Sequence, residues 1–126
     1  MAAAAPKTGA DPIGRIRTIC LGYPEAIEQS FGGHTAPAFR VRQKLFLVVA
    51  ESREYVTCKA PPGVQELMVG SDPRRYFVPP YVGTKGWIGV RLDPSPRWDD
   101  MIELIDESYR LVAPRRLVVQ LDDRAG

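Results

Sequence analysis

Few residues in this chain have the chemistry of a catalyst. His34 is the sole histidine among 126 residues, and the two cysteines are Cys20 and Cys58. A zinc site draws several imidazole or thiolate ligands from short, regular spacings, and neither cysteine stands in one, nor in a Cys-x-x-Cys redox motif. His34 follows Gly32-Gly33 and reads as a turn or strand-edge residue. Proton transfer there would need a nucleophile and an orienting partner, and the sequence identifies neither. Cys58 sits among alternating strand residues, where a buried structural thiol is the ordinary reading, and Cys20 reads the same way. Gly32-Gly33-His34 and Thr84-Lys85-Gly86 lack the spacing of a phosphate-cradling loop. Asp99, Asp100, Glu103, Asp106 and Glu107 cover the face opposite an apolar helical stripe, as solubility requires, rather than forming a metal cluster. The expectation is a protein without catalytic residues, metal ligands or cofactor, and therefore not an enzyme.

Cations interleaved with aromatics are the chemistry that remains. Successive strand side chains point to opposite sides, so Phe39 and Val41 oppose Arg40 and Arg42, Val56 and Cys58 oppose Tyr55 and Lys59, and Ile88 and Val90 oppose Trp87 and Arg91. With helices on the apolar side, the outward face is expected to carry Arg40, Arg42, Tyr55, Lys59, Trp87 and Arg91. A second cluster, Arg74-Arg75-Tyr76-Phe77 with Tyr81 and Lys85, lies in a proline-rich loop that could project as a wing. Cations neutralise phosphates and aromatic rings stack on bases. The expected nucleic-acid-binding set is thus Arg40, Arg42, Lys59, Arg74, Arg75, Tyr81, Lys85, Trp87 and Arg91, with DNA or RNA as partner. An antiparallel sheet with one wet face shows the same alternation without any ligand. The alternative is a small aromatic ligand, a metabolite or drug, held without catalysis between sheet and loop by Trp87, Tyr81, Tyr55 and Phe77. An interaction module using a strand edge or the acidic last helix, as monomer or weak homodimer, is a third possibility.

The elements that must position these residues can be read from periodicity. Asp11-Pro12 starts a helix whose apolar face is Ile13, Ile16, Ile19 and Cys20, ended by Gly22 and Pro24. Four extended segments follow, Ala26–Phe31, Ala38–Arg42, Lys44–Ala50 and Tyr55–Ala60, at spacings that suit consecutive hairpins. Val64, Leu67 and Met68 mark a short helix, residues 70 to 86 read as mostly loop, and Trp87–Leu92 reads as a last strand. Trp98, Met101, Ile102, Leu104, Ile105, Tyr109 and Val112 trace one face of a long helix, with Asp99 and Asp100 early and Arg110 late, as the helix dipole favours. Pro114 interrupts it, and Leu117–Leu121 adds a short final turn or helix. The fold class is α+β, an antiparallel meander sheet backed by helices.

Length and composition agree. A chain of 126 residues, 44% hydrophobic and 25% charged, is one ordinary globular domain. The longest apolar run, Leu45 to Ala50, is far below the ~20 residues of a membrane span, and no secretory signal is seen, so a cytoplasmic protein with reduced thiols and no membrane partner is expected. Net charge is only +2, but residues 40–91 hold nine Lys/Arg against four Asp/Glu, and residues 92–126 hold five against eight. The basic middle is where the proposed contacts lie.

Several strings carry a family resemblance: Thr35-Ala36-Pro37-Ala38-Phe39-Arg40-Val41-Arg42, then Lys44-Leu45-Phe46, then Tyr81-Val82-Gly83-Thr84-Lys85-Gly86-Trp87-Ile88-Gly89-Val90, and Ile105-Asp106-Glu107-Ser108-Tyr109-Arg110-Leu111-Val112. From about Ile13 to Leu121 the chain resembles the MmcQ/YjbR family of small bacterial proteins. The resemblance implies a double-wing α+β fold over 11–121, flanked by disordered tails at 1–10 and 122–126, and DNA binding by analogy of fold. It also implies drug sequestration as an alternative, since a member encoded in an antibiotic gene cluster contributes to the family's name. Members commonly carry an Asn-Lys-x-x-Trp string before the last strand. Here Lys85 and Trp87 match it in type, whereas the Asn and the spacing do not.

Overall fold

The computed structural model describes residues 11–30 and 32–125. Helix α1 (Pro12–Leu21) is capped by Asp11, whose side chain accepts from the Gly14 amide, with Pro12 in the first turn. Six strands follow as one antiparallel sheet: β1 (Ile27–Glu28), β2 (Ala38–Val41), β3 (Lys44–Val49), β4 (Tyr55–Cys58), β5 (Tyr76–Phe77) and β6 (Ile88–Arg91). Helix α2 (Val64–Ser71) lies between β4 and β5, and a 3₁₀ turn (Val82–Lys85) lies between β5 and β6. Helices α3 (Trp98–Val112) and α4 (Arg115–Ala125) end the chain. No helix among the described residues is long and apolar enough to cross a membrane.

The strand order is β1-β2-β3-β4-β6-β5. β1 to β4 form the expected meander, but β5 was expected as loop and lies outside β6. A two-residue strand bounded by Pro73, Pro79 and Pro80 has no periodicity to reveal it; only its pairing with β6 makes it a strand. Arg42 and Gln43, at φ of 50° and 70°, form the tight turn between β2 and β3, so Arg42 is a turn residue rather than a strand residue. The first strand shrinks from the expected 26–31 to two residues, and Phe31 lies outside the described residues.

Register assigns the two faces. Phe39, Leu47, Cys58 and Ile88 pair across β2, β3, β4 and β6, and Val49, Val56, Val90 and Tyr76 pair across β3, β4, β6 and β5; all eight are buried in the core. A bulge at Phe39/Arg40 lets Phe46 join that core, where its ring meets Tyr109 edge-on at 5.7 Å. Ile16 and Cys20 of α1, Met101, Leu104, Ile105 and Tyr109 of α3, and Leu117 of α4 complete it. Ile102, expected on the apolar stripe, is 42% exposed. Burial pushes both thiols up, Cys58 to about 12, so both stay protonated at neutral pH and act as small apolar side chains.

Buried and half-buried hydrogen bonds tie α3 to the segment between α1 and β1 and to β5. Tyr109 donates to the Pro24 carbonyl at 2.7 Å and Tyr23 to Asp106 at 3.0 Å. Tyr76 donates to Asp100 at 3.0 Å. Two of the acidic residues expected to cover a wet helix face are therefore acceptors for tyrosines. The last helix is longer than expected, because Arg110 reaches Asp122 at 2.8 Å and Arg124 reaches the Gly22 carbonyl at 2.8 Å. Through Ala125 the expected C-terminal tail is thus helix; Gly126 and the expected tail at 1–10 lie outside the described residues.

Ser108 closes the joint between helix and sheet. Its hydroxyl donates to the Phe46 carbonyl at 2.5 Å and accepts from the Lys59 amide at 3.0 Å, just where the β3–β4 ladder ends. The Lys59 amide also bonds the Phe46 carbonyl at 3.4 Å, so Ser108→Ala leaves each with that longer bond and should cost about 0.5–1.5 kcal/mol, the net worth of an ordinary hydrogen bond. Urea denaturation should show a lower midpoint with unchanged slope, and an unchanged midpoint would rule the joint out as a stabilising contact.

Candidate functional site

The face of the sheet opposite the helices carries the row Ala38, Val48, Thr57, Gly89 and Phe77, paired strand to strand across β2, β3, β4, β6 and β5, with Tyr55 opposite Arg91 beside it. Gly89 is decisive. A Cβ at that position would collide with the Phe77 ring, so the missing side chain is what lets the ring lie flat on β6. Phe77 then meets Tyr55 edge-on, with centroids 4.9 Å apart, and the Arg91 guanidinium sits 4.5 Å above the ring.

From Phe77 the chain folds back over the face instead of projecting as a wing. Gly83 packs so tightly against Val78 that a Cβ would clash, and Gln65 of α2, 8% exposed, donates to the carbonyls of Gly83 at 2.8 Å and Trp87 at 2.6 Å. Between these anchors the Val82 amide bonds the Pro80 carbonyl at 2.7 Å, with Tyr81 between them at φ 65° and ψ −66°. Those angles are those of a γ-turn of the rare, strained kind, here holding a tyrosine that is 93% exposed.

The fold-back leaves a cleft of about 380 Å³ on the sheet face. Val48, Tyr55 and Thr57 form its floor, Pro79, Pro80, Tyr81 and Val82 one wall, and His34, Ala36 and Glu51 the other. Most of the lining is apolar, and among the described residues no lysine or arginine contributes to it. The Thr57 hydroxyl has no partner among the described residues. Glu51 tethers its wall: Oε1 accepts from the Ala36 amide at 2.7 Å and the Thr35 amide at 2.9 Å, and Oε2 from the Thr35 hydroxyl at 3.2 Å. The Ala36 amide bond, with the Thr35 bonds and nearby His34 contributing, holds the Glu51 carboxyl below its ordinary range.

The cations expected on the outward face are largely engaged with the protein itself. Arg40 and Arg91 do lie on the open face, but Arg40 donates to the Gln29 and Gln43 carbonyls and Arg91 to those of Pro73 and Arg74. Arg42 is paired with Glu25 at 2.5 Å and Arg75 with Asp72 at 2.6 Å. Only Lys59, Arg74 and Lys85 of the set keep side chains without a partner among the described residues. Trp87 is half-buried ahead of β6 and does not line the cleft, and Phe77 is committed to Gly89. Of the four aromatics expected around a small molecule, Tyr55 and Tyr81 line the cleft. Glu51, Thr57 and Gln65 were not anticipated. Gly89 had a signal, a glycine inside an otherwise regular strand. Among the described residues no three His, Cys, Asp or Glu side chains stand together as metal ligands.

Two measurements check this geometry. Gln65→Leu leaves the Trp87 carbonyl without its partner and the Gly83 carbonyl with only the Gly86 amide, so it should cost about 1–3 kcal/mol and speed amide exchange across residues 79–87; unchanged exchange there would mean the Gln65 amide does not hold the loop. Because the Glu51 pKa is lowered in the folded state, its contribution is present above the unfolded value near 4.5 and lost as pH falls through the folded value. The Ala36 amide resonance should therefore titrate with a midpoint below 4.5, and a midpoint at or above that value would show that the tether is absent.

Comparison with known proteins places the fold. The crystal structure of the Deinococcus radiodurans protein DR2400, family-model domain DUF419, superposes with a TM-score of 0.74 at 18% identity, covering 87% of each chain. No curated protein sequence matches the chain. The YjbR family model matches residues 21–111, which run from the end of α1 through nearly all of α3 and include every cleft residue. The chain belongs to the YjbR family.

Proposed function

We propose that this YjbR domain is a binding protein rather than an enzyme, and that its open-face cleft takes a small, flat, largely apolar molecule. The observation that carries this reading is Tyr81: a strained and almost fully exposed aromatic at the rim of an apolar cleft. Strained backbone and exposed aromatic surface both cost free energy, and a ligand covering the ring would offset the second. The volume of about 380 Å³ lies within the roughly 300–1,000 Å³ of ordinary ligand sites. Thr57 offers the hydrogen-bonding group that such sites use to orient a ligand.

A second reading, DNA or RNA binding, is favoured by Lys59, Arg74 and Lys85, whose side chains are not engaged by any of the described residues, with Tyr81 available to stack on a base. It requires affinity that falls steeply with salt and weakens on charge reversal of Arg74 and Lys85.

Thr57→Phe fills the cleft floor without touching the helix side of the sheet. Aromatic compounds that raise the melting temperature of the native protein should bind the variant at least about tenfold more weakly, a change of about 1.4 kcal/mol. The unliganded variant should melt within about 4 °C of the parent. If no aromatic compound stabilises the native protein while labelled oligonucleotides show salt-sensitive binding by anisotropy, the second reading replaces the first.

A further inference from the structure

Glu51 is the one carboxylate among the described residues that line the cleft. Glu51 is held by the Thr35 and Ala36 amides, yet its side chain remains 44% exposed, and the two hydrogen bonds that Oε2 accepts, from the Thr35 amide at 3.3 Å and hydroxyl at 3.2 Å, are longer than the two to Oε1. The tether uses three donor hydrogens, one of them the Thr35 amide shared between both oxygens, against four oxygen lone pairs. Around it the lining is proline, tyrosine and aliphatic, with no lysine or arginine to balance the carboxylate; His34, whose Nδ1 lies 3.7 Å from Oε1, is the one other titratable group on that wall. Tyr55 and Tyr81 add ring faces, which attract cations through their quadrupoles. An anionic ligand would meet repulsion from the Glu51 carboxylate. A neutral one without a donor would leave the carboxylate partly desolvated without a new partner, and a neutral donor would form a weaker bond than a charged one.

We infer that the ligand is an organic cation, an aromatic body bearing a protonated amine, with the ring between Tyr55 and the Pro79–Tyr81 wall and the ammonium against Glu51 at the opposite rim. This rests on the reading of the cleft as a small-molecule site, and it sets that site apart from one for nucleotides, whose phosphates have the wrong sign. The tether of Glu51 to two backbone amides keeps the carboxylate in place before binding, so little conformational freedom is lost when the pair forms.

Calorimetric titration with three probes that share one ring system and differ in charge tests the inference: 1-naphthylmethylamine, 1-naphthylmethanol and 1-naphthaleneacetate. The amine should bind about five- to tenfold more tightly than the alcohol, as for a half-exposed ion pair reinforced by ring faces, and the acetate most weakly. In Glu51→Gln, which keeps an acceptor for the tether, the advantage of the amine over the alcohol should vanish. Equal affinity for all three probes in the native protein would overturn the cation preference and leave the small-molecule reading standing. A preference that survives Glu51→Gln would overturn the role of Glu51. No binding of any probe would count against the cleft as a small-molecule site and overturn this inference with it.

Discussion

A phenyl ring lying on a strand needs a position with no side chain beneath it, and in this sheet β6 supplies one at Gly89. Because Phe77 occupies that space, β5 is fixed on the outer edge of β6 and the chain leaving it is aimed back across the open face. Everything on that face depends on this contact: the stacking of Arg91 on Phe77, the edge-on meeting with Tyr55, the descent of the proline segment, and the cleft it walls off. The Gln65 amide secures the far end of the same segment, so the loop is held at both ends by groups that belong to regular elements. An apparently irregular, proline-rich stretch is thereby as well determined as a strand.

The two sides of the sheet follow different rules. On the helix side, rows of aliphatic and aromatic residues meet α1, α3 and α4, and the polar groups that enter are satisfied one by one: Ser108 at the end of the β3–β4 ladder, Tyr109 on the Pro24 carbonyl, Tyr23 and Tyr76 on carboxylates of α3. On the other side the arginines act largely as backbone ties. Arg40 and Arg91 each bridge two carbonyls of neighbouring turns, holding chain that has no ladder of its own. A guanidinium has five donors in a rigid fork, which suits it to that task. Basic composition in the middle of the chain thus reflects in good part the need to secure irregular backbone.

The sequence made the helix side legible because burial there is periodic. Alternation correctly separated Val56 and Cys58 from Tyr55, and Ile88 and Val90 from Arg91, and the 3.6-residue stripe located α3. The same period-two argument put Arg42 outward on a strand, but two residues with positive φ turn the chain at that point and direct its guanidinium to Glu25. The cleft was only half visible. Tyr55 and Tyr81 stood out by type, whereas Glu51, Thr57 and Pro79 line one cleft only because a loop with two prolines folds over a sheet, and no local pattern encodes such a meeting. Trp87, conspicuous as a residue type, is set beside the loop rather than in it.

The cleft's floor and one of its walls are built to different standards of tolerance. Val48, Tyr55 and Thr57 are parts of paired strands whose alternate residues make the core, so their backbone cannot move without disturbing the whole domain. Pro80, Tyr81 and Val82 are carried on a short span, anchored at Phe77 and Gln65, whose side chains take no part in the central packing. Substitution in that span alters what the cleft accepts while sparing the framework that holds it. A scaffold of this kind separates foldability from selectivity, so that a handful of rim residues can be re-specified against an unchanged platform.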